Sequence, residues 1–117
     1  AYQAVPTLSI YAATKAFVVL FSRGLRWELK GSNISVSCLS PGATSTGFVD
    51  RAGMQSMKER AEKFSMRPEE VASTAIEGMF KRKAEIIPGF VNWISTKATY
   101  FLPKNLVEKI AYSLYKV

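Results

Sequence analysis

Apolar residues along this chain fall into blocks, and the spacing within each block predicts an element. After the opening Ala-Tyr-Gln-Ala-Val-Pro-Thr, which reads as a loop, the stretch from about Leu8 to about Lys30 predicts a helix. Phe17, Leu20, Phe21, Gly24 and Leu25 mark one apolar face, and Ala12, Ala16 and Val19 mark another. A helix apolar nearly all round its first half must be covered on two sides. A sheet of the same chain can cover one side; the other needs a further helix, for instance from another subunit. Gly31-Ser32-Asn33 stops this helix and turns the chain. Ile34-Ser-Val-Ser-Cys-Leu39 then alternates apolar and small polar residues, which predicts a strand ended by Ser40-Pro41-Gly42.

From Ala43 to Met66 the pattern is looser. Phe48, Val49, Met54, Met57, Phe64 and Met66 fit short helices, and the methionines suit an adaptable apolar surface. A lid over a lipophilic substrate and ordinary core packing account for them equally. Pro68-Glu69-Glu70 opens the next helix, with proline in the first position and acids in the first turn. Val71, Ala72, Ala75, Ile76, Met79 and Phe80 predict one buried stripe along it, and Lys81-Arg82-Lys83 closes it. Ala84-Glu-Ile-Ile87, bounded by Pro88-Gly89, predicts a second buried strand. Two helical stretches follow, about Phe90–Leu102 and Pro103–Lys116, parted because the residue before a proline is biased out of the helical region. Helix followed by strand in this order suggests part of an α/β layered fold.

Composition narrows the chemistry. At 117 residues the chain is at most one domain, and 48% hydrophobic residues are enough for a modest core. No run reaches the roughly 20 apolar residues that span a bilayer, and no signal peptide is visible, so a cytoplasmic location is expected. The only cysteine, Cys38, rules out an internal disulfide, and its strand-like setting suits a small core residue better than a nucleophile. Histidine is absent altogether, which argues against a zinc site and against Ser-His or Cys-His catalysis within the chain. The formal charge of +7 comes from scattered lysines and arginines, whose densest run sits at a predicted helix C-terminus, so nucleic-acid binding is not expected.

Within the first helix, Tyr11-Ala-Ala-Thr-Lys15 stands apart. Residues four apart share a helix face, and from Ala12 to Phe21 only Thr14 and Lys15 are polar. A lysine in so apolar a stretch snorkels to water, finds a partner, or serves chemistry that needs an ammonium beside a phenol. An adjacent ammonium favours the phenolate and suits the tyrosine to general acid–base work. A snorkelling lysine beside a surface tyrosine would account for the pair equally well when it is taken alone.

Tyr11-x-x-x-Lys15 on an apolar helix, then a strand ending in Pro41-Gly42, then Thr46, resembles the carboxyl half of a short-chain dehydrogenase/reductase. Pro41-Gly42-Ala-Thr-Ser-Thr46 is similar to the family's Pro-Gly-x-x-x-Thr element, and Arg67-Pro68-Glu69-Glu70-Val71-Ala72 to its usual late helix. The resemblance implies a partial Rossmann-like doubly wound α/β fold: a catalytic helix, two late parallel strands and C-terminal helices, with the N-terminal cofactor-binding half absent. Residues 1–46 would carry the catalytic helix, strand and Pro-Gly loop, 47–67 the substrate-covering segment, and 68–117 the late helix, strand and C-terminal helices. It also implies an NAD(P)-dependent oxidoreductase that interconverts a carbonyl and an alcohol by hydride transfer, with NADP slightly favoured over NAD. Tyr11 would exchange a proton with the carbonyl oxygen. Lys15 would lower the Tyr11 pKa and hydrogen-bond the nicotinamide ribose. Pro41 and Gly42 would shape the loop under the nicotinamide, and Thr44 and Thr46 would meet its carboxamide.

The same resemblance implies pairing of the Tyr11–Lys15 helix with its copy in a homo-oligomer and a small, perhaps lipophilic, carbonyl or alcohol substrate. The family's catalytic serine would fall just ahead of Ala1, and Ser9, two residues from Tyr11, points to a different face. The chain alone is therefore expected to be inactive and prone to associate, because a two-stranded parallel sheet exposes an edge and an apolar face. The alternative is a non-enzymatic self-association module. Phe90, Val91, Trp93, Ile94, Tyr100, Phe101 and Leu102, followed by Lys104, Lys109 and Lys116, fit packing over a substrate pocket, with contact to a membrane surface the lesser alternative.

Overall fold

The computed structural model describes residues 1–2, 4–42 and 65–115. Within them the chain is mixed α/β and mostly helical: α1 (Ser9–Glu28), β1 (Cys38–Leu39), α2 (Pro68–Phe80), β2 (Glu85–Ile86), α3 (Phe90–Phe101) and α4 (Lys104–Tyr115). Strands β1 and β2 are parallel neighbours, with Cys38 opposite Glu85 and Leu39 opposite Ile86. The predicted strand 34–39 is thus shortened to its last two residues. Its partner is only two residues long, so the ladder ends where the Cys38 amide donates to Ala84 O and the Ser40 amide to Ile86 O.

Successive strand residues point to opposite faces of a sheet, and the contacts show which helix covers each face. Glu85 is bonded to Arg23 of α1, and Ile86 lies against Gly78 of α2. Helix α1 therefore covers one face of the sheet and α2 the other. Ala12 and Val19 are the buried residues of α1, with Ala16, Leu25 and Arg26 half-buried on the same side. Phe17, Leu20 and Phe21 face outward, and the rings of Phe17 and Phe21 stack at 6.0 Å. The predicted division of α1 into two apolar faces is seen, with the small-residue face on the sheet.

For α2 the predicted stripe requires correction. Val71 and Gly78 are its buried residues, whereas Ala72, Ile76, Met79 and Phe80 are exposed. The reason lies at Gly78, where a Cβ would come within 2.7 Å of Ile86 Cδ1. Only a glycine lets the helix approach β2 this closely, so the small-residue side turns inward and the larger side outward. Ile76 and Met79 line an open apolar groove with Leu39, Ala75, Val36 and Ile86 on the α2 face of the sheet. Ser37 Oγ is buried beside this groove without a hydrogen-bond partner.

The ends of α2 follow their sequence signals. Pro68 occupies the first turn with Glu69 and Glu70. At the C-terminus the Lys83 amide donates to Gly78 O and the Arg82 amide to Met79 O, a pair of bonds that requires a left-handed residue between helix and strand. Arg82 supplies it, with φ of 54°. Leu102 is extended before Pro103 and parts α3 from α4, as predicted.

Helix α3 has no buried residue. Its half-buried positions include polar Asn92, Thr96 and Thr99, and Phe90, Val91, Ile94 and Phe101 are exposed. In α4, Val107 and Ala111 are buried.

Candidate active site

Three polar ties fix the direction of α1 on the sheet. Near its C-terminal end, Arg26 donates to Val36 O (2.8 Å), just before β1, and to Arg82 O (2.7 Å), just before β2. Ahead of its N-terminal end, the Tyr2 hydroxyl donates to Ser40 Oγ (3.0 Å), just after β1. The middle is pinned by the Arg23–Glu85 ion pair, whose carboxylate is largely buried. Helix and strand therefore run in opposite directions, and the first turns of α1 lie at the carboxyl edge of the sheet. The Pro41–Gly42 loop leaves from that same edge.

Tyr11 and Lys15 sit one turn apart in those first turns, both exposed to solvent. The Lys15 ammonium lies over the Tyr11 ring, 5.4 Å from its centroid, an arrangement favoured by the ring's negative face. Between them, Thr14 Oγ1 donates back to Tyr11 O at 2.7 Å. The structure thus brings Tyr11 and Lys15 together and places Pro41 and Gly42 at the same end of the sheet. Thr44, Thr46 and the substrate-covering segment through Phe64 lie outside the described residues.

Tyr2 and Asn92 are neighbours of this site that sequence reasoning missed. Burial pushes the Tyr2 phenol above its ordinary range; the Ser40 hydrogen bond opposes this, and the negative charge of Glu85 reinforces it. Its ring also meets Tyr100 of α3 edge-on at 6.1 Å. Asn92, in the first turn of α3, fills the space beside Gly42, and its Nδ2 donates to Pro88 O at 3.0 Å. Neither residue has a local sequence signal, since each owes its position to elements far along the chain. Among the described residues, no group of three His, Cys, Asp or Glu side chains could hold a metal ion. No helix among them is long and apolar enough to cross a membrane.

Comparison with known proteins follows the same boundaries. Residues 1–57 match the family model of short chain dehydrogenases, a span that takes in α1, β1 and the Pro41–Gly42 loop. Human 17-beta-hydroxysteroid dehydrogenase type 3 is 30% identical over 95 residues, covering 81% of this chain and 31% of that protein. Rat 17-beta-hydroxysteroid dehydrogenase 13 is 29% identical over 113 residues, covering 93% of this chain and 35% of the relative. The uncharacterized oxidoreductase YbbO of Escherichia coli K12 is 28% identical, with 90% of this chain and 42% of that protein covered. The chain therefore spans between about a third and two fifths of the length of these curated relatives. No solved structure matches it.

Proposed function

The chain belongs to the short-chain dehydrogenase/reductase family, and from that premise we propose that it supplies the acid–base half of an NAD(P)-dependent oxidoreductase acting on a carbonyl or alcohol. The observation that carries this reading is the Tyr11–Lys15 pair in the first turns of a helix whose N-terminal end shares the sheet's carboxyl edge with Pro41–Gly42. Ligands of open α/β sheets bind outside the carboxyl ends of the strands, so the pair and the loop sit where a dinucleotide would be received. The residues present suit it: Gly42 has no side chain to block close approach, and the exposed Lys15 ammonium is a donor suited to ribose hydroxyls. Tyr11, Lys15, Pro41, Gly42, Thr44 and Thr46 would hold the nicotinamide end, and the partial doubly wound fold belongs to this reading.

The cofactor supplies the hydride when bound. Tyr11 donates a proton through its hydroxyl to the carbonyl oxygen during reduction and takes it back during oxidation. Lys15 supports the charge on Tyr11 when that proton is away, and it orients the ribose. The outward Phe17, Leu20 and Phe21 face of α1 pairs with a copy of itself, which supplies the second cover that the helix needs. The substrate is a lipophilic carbonyl or alcohol; steroids are the class named in two relatives. NADP is slightly favoured over NAD.

Tyr11→Phe in the intact protein tests the reading. Turnover should fall at least about a hundredfold, the scale of general acid–base assistance, while cofactor affinity stays nearly unchanged. Unchanged turnover would end the assignment. A second reading, a self-association module without catalysis, is favoured only by the exposed α1 face. It predicts intact oligomers and no turnover even with Tyr11 present.

A further inference from the structure

The Asn92 side chain occupies a slot bounded by two glycines from two different loops. Gly42 follows β1 and Gly89 follows β2, so both loops leave the carboxyl edge of the sheet. A Cβ built on Gly42 would lie 2.5 Å from both Asn92 Cγ and Asn92 Oδ1, well inside contact distance. One built on Gly89 would lie 3.1 Å from Asn92 Nδ2 and 3.0 Å from Met66 Sδ. Gly89 also has φ of 89°, a conformation that favours glycine in any case. The amide is held on its other side by the bond from Nδ2 to Pro88 O, and Pro88 is fully buried. Asn92 is therefore a wedge with a fixed base, and Gly42 is the movable surface against which it rests.

We propose that Asn92 is a positioning residue for the dinucleotide: it sets the path of the Pro41–Gly42 loop and thereby the floor on which the nicotinamide end is received. This rests on the functional reading above. Gly42 is required because the asparagine fills the volume where a side chain would stand, and Asn92 is required because nothing else among the described residues meets Gly42 there. The inference also gives α3 a role at the site. Its first turn plugs the junction of the two loops, which explains why a helix with no fully buried residue presents Asn92 to the protein.

The test is a double-mutant cycle in the intact protein, using Gly42→Ala, Asn92→Ala and the pair together. Two quantities are read at each corner: the NAD(P)H dissociation constant, from quenching of protein fluorescence, and the melting temperature. Gly42→Ala should weaken NAD(P)H binding about tenfold, because its methyl group meets Asn92 and displaces the loop. Asn92→Ala should weaken binding several-fold with kcat within about twofold. In the Asn92→Ala background, Gly42→Ala should cost almost nothing, since the obstructing side chain has gone. Independent effects on binding, or coupling in melting temperature without coupling in binding, would overturn the proposal. If Gly42→Ala alone does not fold, restored folding and binding in the double variant support the wedge, and a double variant that folds but binds no better than about a tenth as well as Asn92→Ala alone refutes it. A wild-type protein that binds no NAD(P)H removes the functional reading itself; one that binds it without the coupling removes this inference alone.

Discussion

The sheet-packed part of the molecule and its tail are both rich in apolar residues, yet they are held in different ways. Helix α1 reaches across to the strands through Arg23 and Arg26, and the chain ahead of it does so through Tyr2, which fixes its direction as well as its burial. Helix α3 has no buried residue, and its recorded ties are the Asn92–Pro88 bond at its start and the Tyr2–Tyr100 ring contact at its end. Apolar burial alone does not set the direction of a helix on a sheet, because the hydrophobic effect is non-directional. The polar ties do, and they aim the Tyr11–Lys15 turn at the carboxyl edge. The site is accordingly built where the chain is knitted rather than where it is most apolar.

The largest test of this contrast is to force the sheet apart from α2. Gly78→Val should destabilise the fold by about 2–3 kcal/mol, because its branches meet Ile86 in a space too small for a methyl group, which chemical denaturation would measure. Arg26→Ala should cost about 1–3 kcal/mol, since two backbone carbonyls lose a charged donor. Arg82→Gly should act in the opposite direction and stabilise by about 0.5–1 kcal/mol, because glycine adopts the left-handed cap without a side-chain penalty. In the tail, Ile94→Ser on the outer face of α3 should change folding stability by no more than about 0.5 kcal/mol. A large loss from Ile94→Ser would show that the tail is as firmly knitted as the sheet.

A smaller effect should appear at alkaline pH. Burial raises the Tyr2 phenol in the folded protein, so the folded state holds its proton more tightly than the unfolded chain. That contribution is complete below the unfolded value near 10 and is lost as pH rises through the folded value. Tyr2→Phe should remove this alkaline loss, and melting curves on either side of pH 10 would detect the difference.

Much of the architecture was legible because it depends on local chemistry. Pro6 and Gly31 bracket α1, Pro68 with two glutamates opens α2, and Pro103 parts α3 from α4. What escaped depends on approach between distant elements. The periodicity of α2 identified its larger apolar side, but the sheet selected the side with Gly78, where the backbone comes close. The alternation over 34–39 is a true pattern, yet a ladder is only as long as its partner, and β2 has two residues. The Tyr11–Lys15 pair and the Pro41–Gly42 loop were visible as motifs. Asn92 was not, because its role exists only once two loops from separate strands meet.

The central claim is that Tyr11 serves a hydride transfer at the sheet's carboxyl edge. The direct measurement is isotope transfer by the intact protein from NAD(P)H deuterated at the nicotinamide C4 to a steroidal ketone. The account predicts deuterium on the carbinol carbon of the product, and its loss in Tyr11→Phe. Unlabelled product, or labelling that persists undiminished in Tyr11→Phe, would contradict it.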